Sequence, residues 1–179
     1  MNILVALLVI VVVFVMMVFL QPAEFKVSRS ANFSVPPEIV FAQVNNLRKW
    51  EAWSPWAKLD LNAKNTYTGP AAGVGAAFAW SGNNKVGEGR MTITESSPYE
   101  LVRFQLVFLK PFKATNIAEF SFKAEGHQTT ATWCMSGENN FMGKAMNLML
   151  NCEKMVGRQF EQGLAQLKSL VEAADKNQR

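Results

Sequence analysis

The sequence predicts an α+β domain in which an antiparallel sheet wraps a long C-terminal helix, preceded by one apolar helix. Three observations lead to this prediction. The first twenty residues contain no charged side chain. Between about residues 66 and 135, successive segments alternate apolar and polar side chains, with the period of two that is typical of strands. From Phe141 to Val171, apolar residues recur every three to four positions, as on one face of a helix.

The N-terminal run from Ile3 to Leu20 is apolar throughout and has the minimum length that crosses a hydrocarbon layer of about 30 Å. A cleaved signal peptide would need a basic start and a small-residue cleavage site, and the run has neither. We therefore expect residues 1–21 to be a single-pass transmembrane anchor in the cell membrane and residues 22–179 to be one domain. Lys26 and Arg29 follow the run and slightly favour a cytoplasmic domain.

The segment after the anchor predicts one strand and two short helices. Phe25 to Phe33 alternates as a strand does, and the prolines in Ser34–Glu38 suit the first turn of a helix. A second short helix or turn, ended by Pro55, carries three tryptophans: Trp50, Trp53 and Trp56.

A run of about six antiparallel strands follows, separated by turn signals such as Ser81–Asn84 and Glu125–His127. Together the strands present one continuous apolar face rich in aromatic residues. Asn139 or Asn140 is expected to cap the C-terminal helix, which at about 45–50 Å is long enough to cover that face.

The chain offers little catalytic or metal chemistry. Its only histidine, His127, lies in a predicted hairpin tip, which excludes a His-based triad or metal site. Cys134 and Cys152 are far apart and are expected to be free, buried thiols. We expect no catalytic constellation, no metal and no cofactor.

Three further signals have simple structural interpretations. A strand rather than a helix follows Gly69, Gly73 and Gly75, so this stretch predicts a tight turn and not a phosphate loop. Strand parity places Glu88 beside Arg90, which predicts a surface ion pair. The net charge of +4 comes from scattered residues with no recognition motif, so it favours a mildly basic surface, compatible with an anionic membrane, over nucleic-acid binding.

The positive signal is a surplus of aromatic side chains on the sheet, facing a helix that carries flexible methionines. A bulky, filled core is one interpretation. The other is an apolar pocket between the concave sheet and the helix. The residues expected to line such a ligand-binding pocket are Trp53, Trp56, Phe78, Trp80, Met91, Phe104, Phe120, Trp133 and Met149.

Several segments resemble the polyketide cyclase/dehydrase and lipid-transport group of the SRPBCC (START/Bet v 1-like) superfamily. They are Ser30–Phe41, Leu47–Trp56 with its Trp-x-x-Trp-Ser-Pro-Trp element, Tyr67–Gly75, Val86–Thr94 and Lys154–Leu164. The resemblance implies a helix-grip fold: a seven-stranded antiparallel sheet, two short helices after the first strand, and a C-terminal helix roofing a hydrophobic cavity. It implies no shared catalytic residues, since many members bind lipids, steroids, quinones or polyketides and relatively few are enzymes.

Two functional hypotheses follow. The first is a membrane-anchored binding module for a hydrophobic small molecule or lipid. The alternative is a cyclase- or dehydratase-like enzyme acting on a lipophilic, polyketide-like substrate. Its acid or base would come from Glu51, Glu88 or Glu153, and its only tyrosines are Tyr67 and Tyr99. A structural or partner-binding role is favoured if the cavity is filled.

Overall fold

The computed structural model describes residues 2–176, so Met1 of the predicted anchor and residues 177–179 of the predicted domain lie outside the described residues. Seven strands form one antiparallel sheet in the order β1-β7-β6-β5-β4-β3-β2. Their bounds are β1 (Glu24–Phe33), β2 (Lys64–Thr68), β3 (Ala77–Ser81), β4 (Glu88–Ser97), β5 (Leu101–Lys110), β6 (Ala114–Glu125) and β7 (Gln128–Glu138). The predicted α+β class and antiparallel sheet are confirmed.

Four α-helices accompany the sheet within residues 2–176: α1 (Asn2–Phe19), α2 (Pro37–Val44), α3 (Phe141–Leu150) and α4 (Cys152–Lys176). Two 3-10 turns, Leu47–Ala52 and Pro55–Lys58, follow α2. The predicted second short helix or turn is therefore two 3-10 turns, and only its predicted end at Pro55 is wrong. Pro55 begins the second turn, because proline at a first helical position gives up no intrahelical hydrogen bond.

The predicted continuous C-terminal helix is interrupted at Asn151, which has a left-handed backbone with φ of 47°. Asparagine tolerates this conformation better than most residues. Its side-chain oxygen also accepts a hydrogen bond of 3.1 Å from the backbone N–H of Lys154, capping α4. Asn140 caps α3 by accepting from the N–H of Gly143 at 2.9 Å, as predicted. The helix that covers the sheet is thus α4 alone, about 37 Å long.

The core lies between the inner face of the sheet and the helices α2 and α4. The buried face of α4 carries Phe160, Leu164, Leu167 and Val171, each 2% exposed or less. The spacing of these residues at three to four positions is the predicted helical pattern. On the strands, alternate residues point inward, as the burial patterns of β4, β5, β6 and β7 show.

Because the strands are antiparallel, the turns between them lie at two opposite ends of the sheet. At one end, Glu24 pairs with Glu138, Phe108 with Ala114, and Glu88 with both Lys110 and Ser81. We call this the α1 end, because α1 enters β1 there; it carries residues 82–87, between β3 and β4, and residues 111–113, between β5 and β6. The turn at residues 126–127 lies at the opposite end.

Helix α1 is apolar and largely exposed over residues 3–17, while Val18 is buried and the Phe19 ring lies 5.5 Å from the Phe141 ring of α3. No helix of residues 2–176 is both long and apolar enough to cross a membrane. The predicted transmembrane span is therefore not supported. Its 18 residues form a helix of about 27 Å, short of the roughly 30 Å of a hydrocarbon layer.

Candidate functional site

A cavity of about 350 Å³ lies between the inner face of the sheet and the first half of α4. It extends to the α1 end, where Asn84, Lys85 and Pro111 at its edge are exposed. Most of its lining is apolar or aromatic. Its volume is in the lower part of the range that holds small molecules in proteins, about 300–1,000 Å³.

Five of the nine predicted pocket residues line this cavity: Trp56, Phe78, Trp80, Met91 and Trp133. On β3, Phe78 and Trp80 lie two residues apart on the inner face, with stacked rings at 5.7 Å. Met91 pairs with Phe78 across β3 and β4. The Trp80 indole N–H donates to the carbonyl of Val86 at 3.0 Å, which fixes the ring against the turn at residues 82–87.

Three predicted residues, Trp53, Phe104 and Phe120, are fully buried and lie in the filled part of the core instead. Trp50 occupies the space beside them, with its ring 5.4 Å from Phe104, 5.9 Å from Phe120 and 4.5 Å from Trp53. The tryptophan-bearing turns therefore fill the half of the concave face remote from the α1 end and leave the other half open.

Met149, the ninth predicted residue, does not line the cavity. It lies on α3 and is 72% exposed. The prediction assumed one continuous helix, and the break at Asn151 places Met149 outside the helix that covers the sheet.

The prediction missed apolar lining residues that continue the same faces toward the α1 end. They are Leu106 and Phe108 on β5, Met135 on β7, and Val156 and Phe160 on α4. Leu106 and Phe108 point to the same side of the sheet as Phe104, and Met135 points to the same side as Trp133. The alternation along these strands could therefore have identified them as lining residues. What it does not give is the position of the cavity along the strands.

Asp60, at the edge of the cavity, holds two loops together. Its carboxylate accepts hydrogen bonds from the backbone N–H of Asn83 at 2.7 Å and of Asn62 at 3.0 Å. Asp60 lines the cavity, and so does Lys85, which lies in the same turn as Asn83. The charged lining groups thus lie toward the edge, where water solvates them.

Tyr67 lines the cavity from β2, with its ring stacked at 5.1 Å on Phe78. The Arg48 guanidinium lies over the same ring, 4.7 Å from its centroid. Burial raises the pKa of Tyr67, the charge of Glu51 raises it further, and Arg48 opposes both. The phenol is therefore protonated at neutral pH and can donate a hydrogen bond.

Of the three candidate carboxylates, only Glu51 lines the cavity. Glu88 forms the predicted surface ion pair, and its partner is Lys110 at 2.8 Å, across β4 and β5. Glu153 pairs with Arg29 at 3.0 Å, where β1 meets α4. These two carboxylates are bound to cations away from the cavity. The other tyrosine, Tyr99, lies in the exposed turn before β5 with φ of 66°.

The remaining candidate groups have structural positions. Gly69, Gly73 and Gly75 all have positive φ and form a turn ahead of β3, as predicted. Cys134 and Cys152 are free but half-buried rather than buried, and burial raises the pKa of Cys134. Across residues 2–176, no group of three or more His, Cys, Asp or Glu side chains is arranged to hold a metal ion.

Comparison with known proteins gives a family and a fold. Residues 24–172 match the family model described as polyketide cyclase / dehydrase and lipid transport. No curated protein matches the sequence.

Similar solved structures include protein MLL2253 from Mesorhizobium loti, with a TM-score of 0.62 and 15% identity over 83% of this chain and 98% of that one. CalU16 from Micromonospora echinospora has a TM-score of 0.55 and 14% identity over 86% and 88%. Ara h 8.0201 has a TM-score of 0.57 and 11% identity over 84% and 99%. At these identities the likeness shows the fold alone.

Proposed function

This chain belongs to the polyketide cyclase / dehydrase and lipid transport family, and we propose that it binds a hydrophobic small molecule or lipid in its cavity. The observation that carries the proposal is the apolar, aromatic-lined volume of about 350 Å³ under α4, in a core otherwise closely packed with aromatic rings. Such concave, mostly apolar cavities with a few polar groups at the edge are typical ligand sites.

Binding of a lipophilic fluorescent dye to the full chain tests this function. Leu106→Trp replaces an aliphatic side chain of the cavity lining with a bulky ring and is expected to weaken dye binding at least tenfold. Ile117→Trp adds a comparable ring to the half-exposed outer face of β6 and should leave dye binding unchanged. Thermal unfolding confirms that both variants fold. A wild-type chain that binds no dye and yields no extractable lipophile on mass spectrometry would overturn the proposal.

We infer further that α1 attaches the domain to a cell membrane by entering its lipid. Every side chain of residues 3–19 is apolar, and most of them are exposed. Leaving a large apolar side chain in water rather than burying it costs about 1.5–3 kcal/mol. The four residues 20–23 that join α1 to β1 reach about 14 Å at most, so lipid around α1 would lie close to the α1 end.

The surface at the α1 end suits such a position. The end of β5 and the turn that follows it expose Leu109 and Phe112 and carry Lys110 and Lys113. Exposed apolar side chains flanked by lysines are typical of surfaces that meet anionic lipid. Since the cavity extends to this end, a ligand soluble in the membrane would have a short path into the protein.

Flotation of the full chain with phospholipid vesicles tests the attachment. A double substitution in α1, Val9→Asp and Val13→Asp, is expected to abolish co-flotation, because carboxylates are costly in hydrocarbon. Val74→Asp, at an exposed apolar residue outside α1, is the matched control. Equal flotation of all three proteins would contradict the attachment.

We place the domain on the cytoplasmic side of the membrane, because Lys26 and Arg29 directly follow the apolar segment. Protease added outside intact cells is then expected to leave the domain uncut. Digestion of the domain from outside would reverse the assignment.

A cyclase- or dehydratase-like activity is the second candidate, and the observation that favours it is the presence of Glu51 and the protonated Tyr67 in the lining of one cavity. A carboxylate and a phenol can act as base and acid on a bound lipophile. Mass spectrometry of the bound ligand before and after incubation tests it. Conversion that survives both Glu51→Gln and Tyr67→Phe would exclude these residues as the catalysts.

A further inference from the structure

The volume of the cavity limits the size of its ligand. Liquid water occupies about 30 Å³ per molecule, and a methylene group fills a similar volume. A cavity of about 350 Å³ therefore holds about twelve such groups. A glycerolipid with two long acyl chains has several times as many non-hydrogen atoms, so it does not fit inside.

The inner end of the cavity is closed by packed aromatic rings. Trp50 lines the cavity there, and its ring lies 4.5 Å from Trp53 and 5.9 Å from Phe120, both fully buried. Trp133 stacks between Phe120 at 4.7 Å and Phe160 at 4.2 Å. Because protein interiors packed in this way admit no further atoms without strain, a long chain cannot extend past this end.

The cavity also ends along α4, near Phe160. A Cβ atom added at Gly163 would lie 2.9 Å from Cζ3 of Trp133 and 3.1 Å from Cδ of Pro55. The backbone of α4 therefore packs directly on these two residues. Leu164, the next residue of α4, is buried and does not line the cavity.

Two ion pairs tie α4 to the edge strand β1 above the cavity. The guanidinium of Arg29 donates to Glu161 at 2.7 Å and to Glu153 at 3.0 Å. These carboxylates lie about one helical turn to either side of Gly157, where the missing side chain lets the guanidinium rest against the helix backbone. Val156, beside this glycine, lines the cavity. Lifting α4 to admit a second chain would therefore separate Arg29 from both carboxylates.

The lining at the α1 end decides which part of a ligand enters first. The edge there carries the exposed polar residues Asn84 and Lys85, whereas the wall farther in includes Met91, Leu106 and Ala118. A polar group without a partner is costly to bury in such a wall. An apolar tail is therefore expected to enter, while a polar head group stays at the edge in water.

We propose that the ligand is a single-tailed lipophile, with one alkyl chain or one small ring system of about twelve non-hydrogen atoms inside the cavity and its polar group at the α1 end. This inference rests on the proposed binding function and narrows its ligand class. It excludes a whole diacyl glycerolipid as the ligand. A longer single chain binds with its excess length outside the cavity and gains no affinity from it.

Equilibrium dialysis of straight-chain primary alcohols of about six to fourteen carbons tests this inference. The full chain is held in phosphatidylcholine nanodiscs, and binding to empty nanodiscs is subtracted. Affinity for the free alcohol is expected to rise about fourfold with each methylene and to level off at about ten to twelve carbons. A steady rise to the longest alcohol would overturn the inference. So would alcohol binding no greater than that of empty nanodiscs.

Two aliphatic truncations show whether the cavity sets this plateau. Leu106→Ala enlarges the cavity and should move the plateau about two to three carbons longer. Ile117→Ala shortens a side chain on the half-exposed outer face of β6 and should leave the plateau unchanged. Thermal unfolding confirms that both variants fold, and the wild-type series stands without them. The same plateau in all three proteins would contradict the inference.

The lipophilic dye separates this inference from the proposed function. If the dye binds but the affinity of the alcohols fails to level off, the proposed function stands and the size limit is wrong. If neither the dye nor the alcohols bind, both fail.

Discussion

The carboxylate of Asp60 accepts a 2.7 Å hydrogen bond from the backbone N–H of Asn83, joining two loops that are 23 residues apart in sequence. A second bond of 3.0 Å, from the N–H of Asn62, orders the first of these loops. Both loops border the cavity at the α1 end. The pair therefore ties two loops together at the edge of the cavity.

Loss of this contact is expected to speed ligand exchange. Asp60→Ala should increase the dissociation rate of a bound lipophilic dye about tenfold, because hydrogen bonds to charged groups contribute about 1.5–3 kcal/mol. Stopped-flow fluorescence measures the rate. Glu125→Ala removes a carboxylate at the opposite end of the sheet and should leave the rate unchanged; equal rates in all three proteins would show that the Asp60 contact does not limit exchange.

Truncations of Trp53 and Phe78 should separate the filled core from the cavity wall. Trp53 is fully buried and makes contacts on all sides, so Trp53→Ala is expected to lower the free energy of unfolding by about 3–5 kcal/mol. Phe78 is half-buried and borders the cavity, so Phe78→Ala should cost about 1–2 kcal/mol and should weaken dye binding. Urea unfolding and dye titration measure the two effects. A larger stability loss for Phe78→Ala would mean that its ring meets packed protein and not a cavity.

Substitutions of two methionines, one in the cavity lining and one outside it, test the position of the site. Met149 is exposed on α3, and Met149→Gln is expected to change stability by less than about 0.5 kcal/mol and dye affinity not at all. Met135 lines the cavity on β7, and Met135→Gln should weaken dye binding severalfold by placing an amide in apolar surroundings. Equal effects of the two substitutions on dye affinity would contradict the assigned lining.

The raised pKa of Tyr67 predicts that the protein loses stability in alkaline solution. Burial raises the pKa of the Tyr67 phenol above its ordinary value of about 10. Above that pH the unfolded chain releases a proton that the folded chain retains, so the free energy of unfolding falls as pH rises. Urea unfolding at about pH 8 and 10.5 should show a smaller fall in Tyr67→Phe than in wild type. Tyr99→Phe is the control, and an equally reduced fall in that variant would assign the effect elsewhere.

The local patterns of the sequence were sufficient for the elements and for the apolar face. Alternation in β4 to β7 and the three-to-four spacing in α4 follow from the directions in which strand and helix side chains project, so they are readable residue by residue. The caps were partly readable in the same way: Asn140 begins α3 as expected, whereas the left-handed Asn151 was missed. An asparagine adopts that conformation only where the surrounding chain requires it.

The candidate site depended on contacts between elements distant in sequence. Phe104 and Leu106 have the same parity on β5, and only the packing of Trp50 against Phe104 decides that Leu106 borders the cavity and Phe104 does not. Likewise, Glu88 pairs with Lys110 rather than Arg90 because the register of β4 and β5 brings these residues opposite each other.

The sequence by itself determined the fold class, the apolar N-terminal segment and the aromatic surplus, since each is a property of composition or local period. Its motifs also resembled the family whose model it matches. Only the tertiary structure decided where the surplus aromatic side chains leave an unfilled cavity. It also decided which polar side chains border the cavity. The physical reason is that a cavity is the volume that packing leaves unfilled, and this depends on all the elements around it at once.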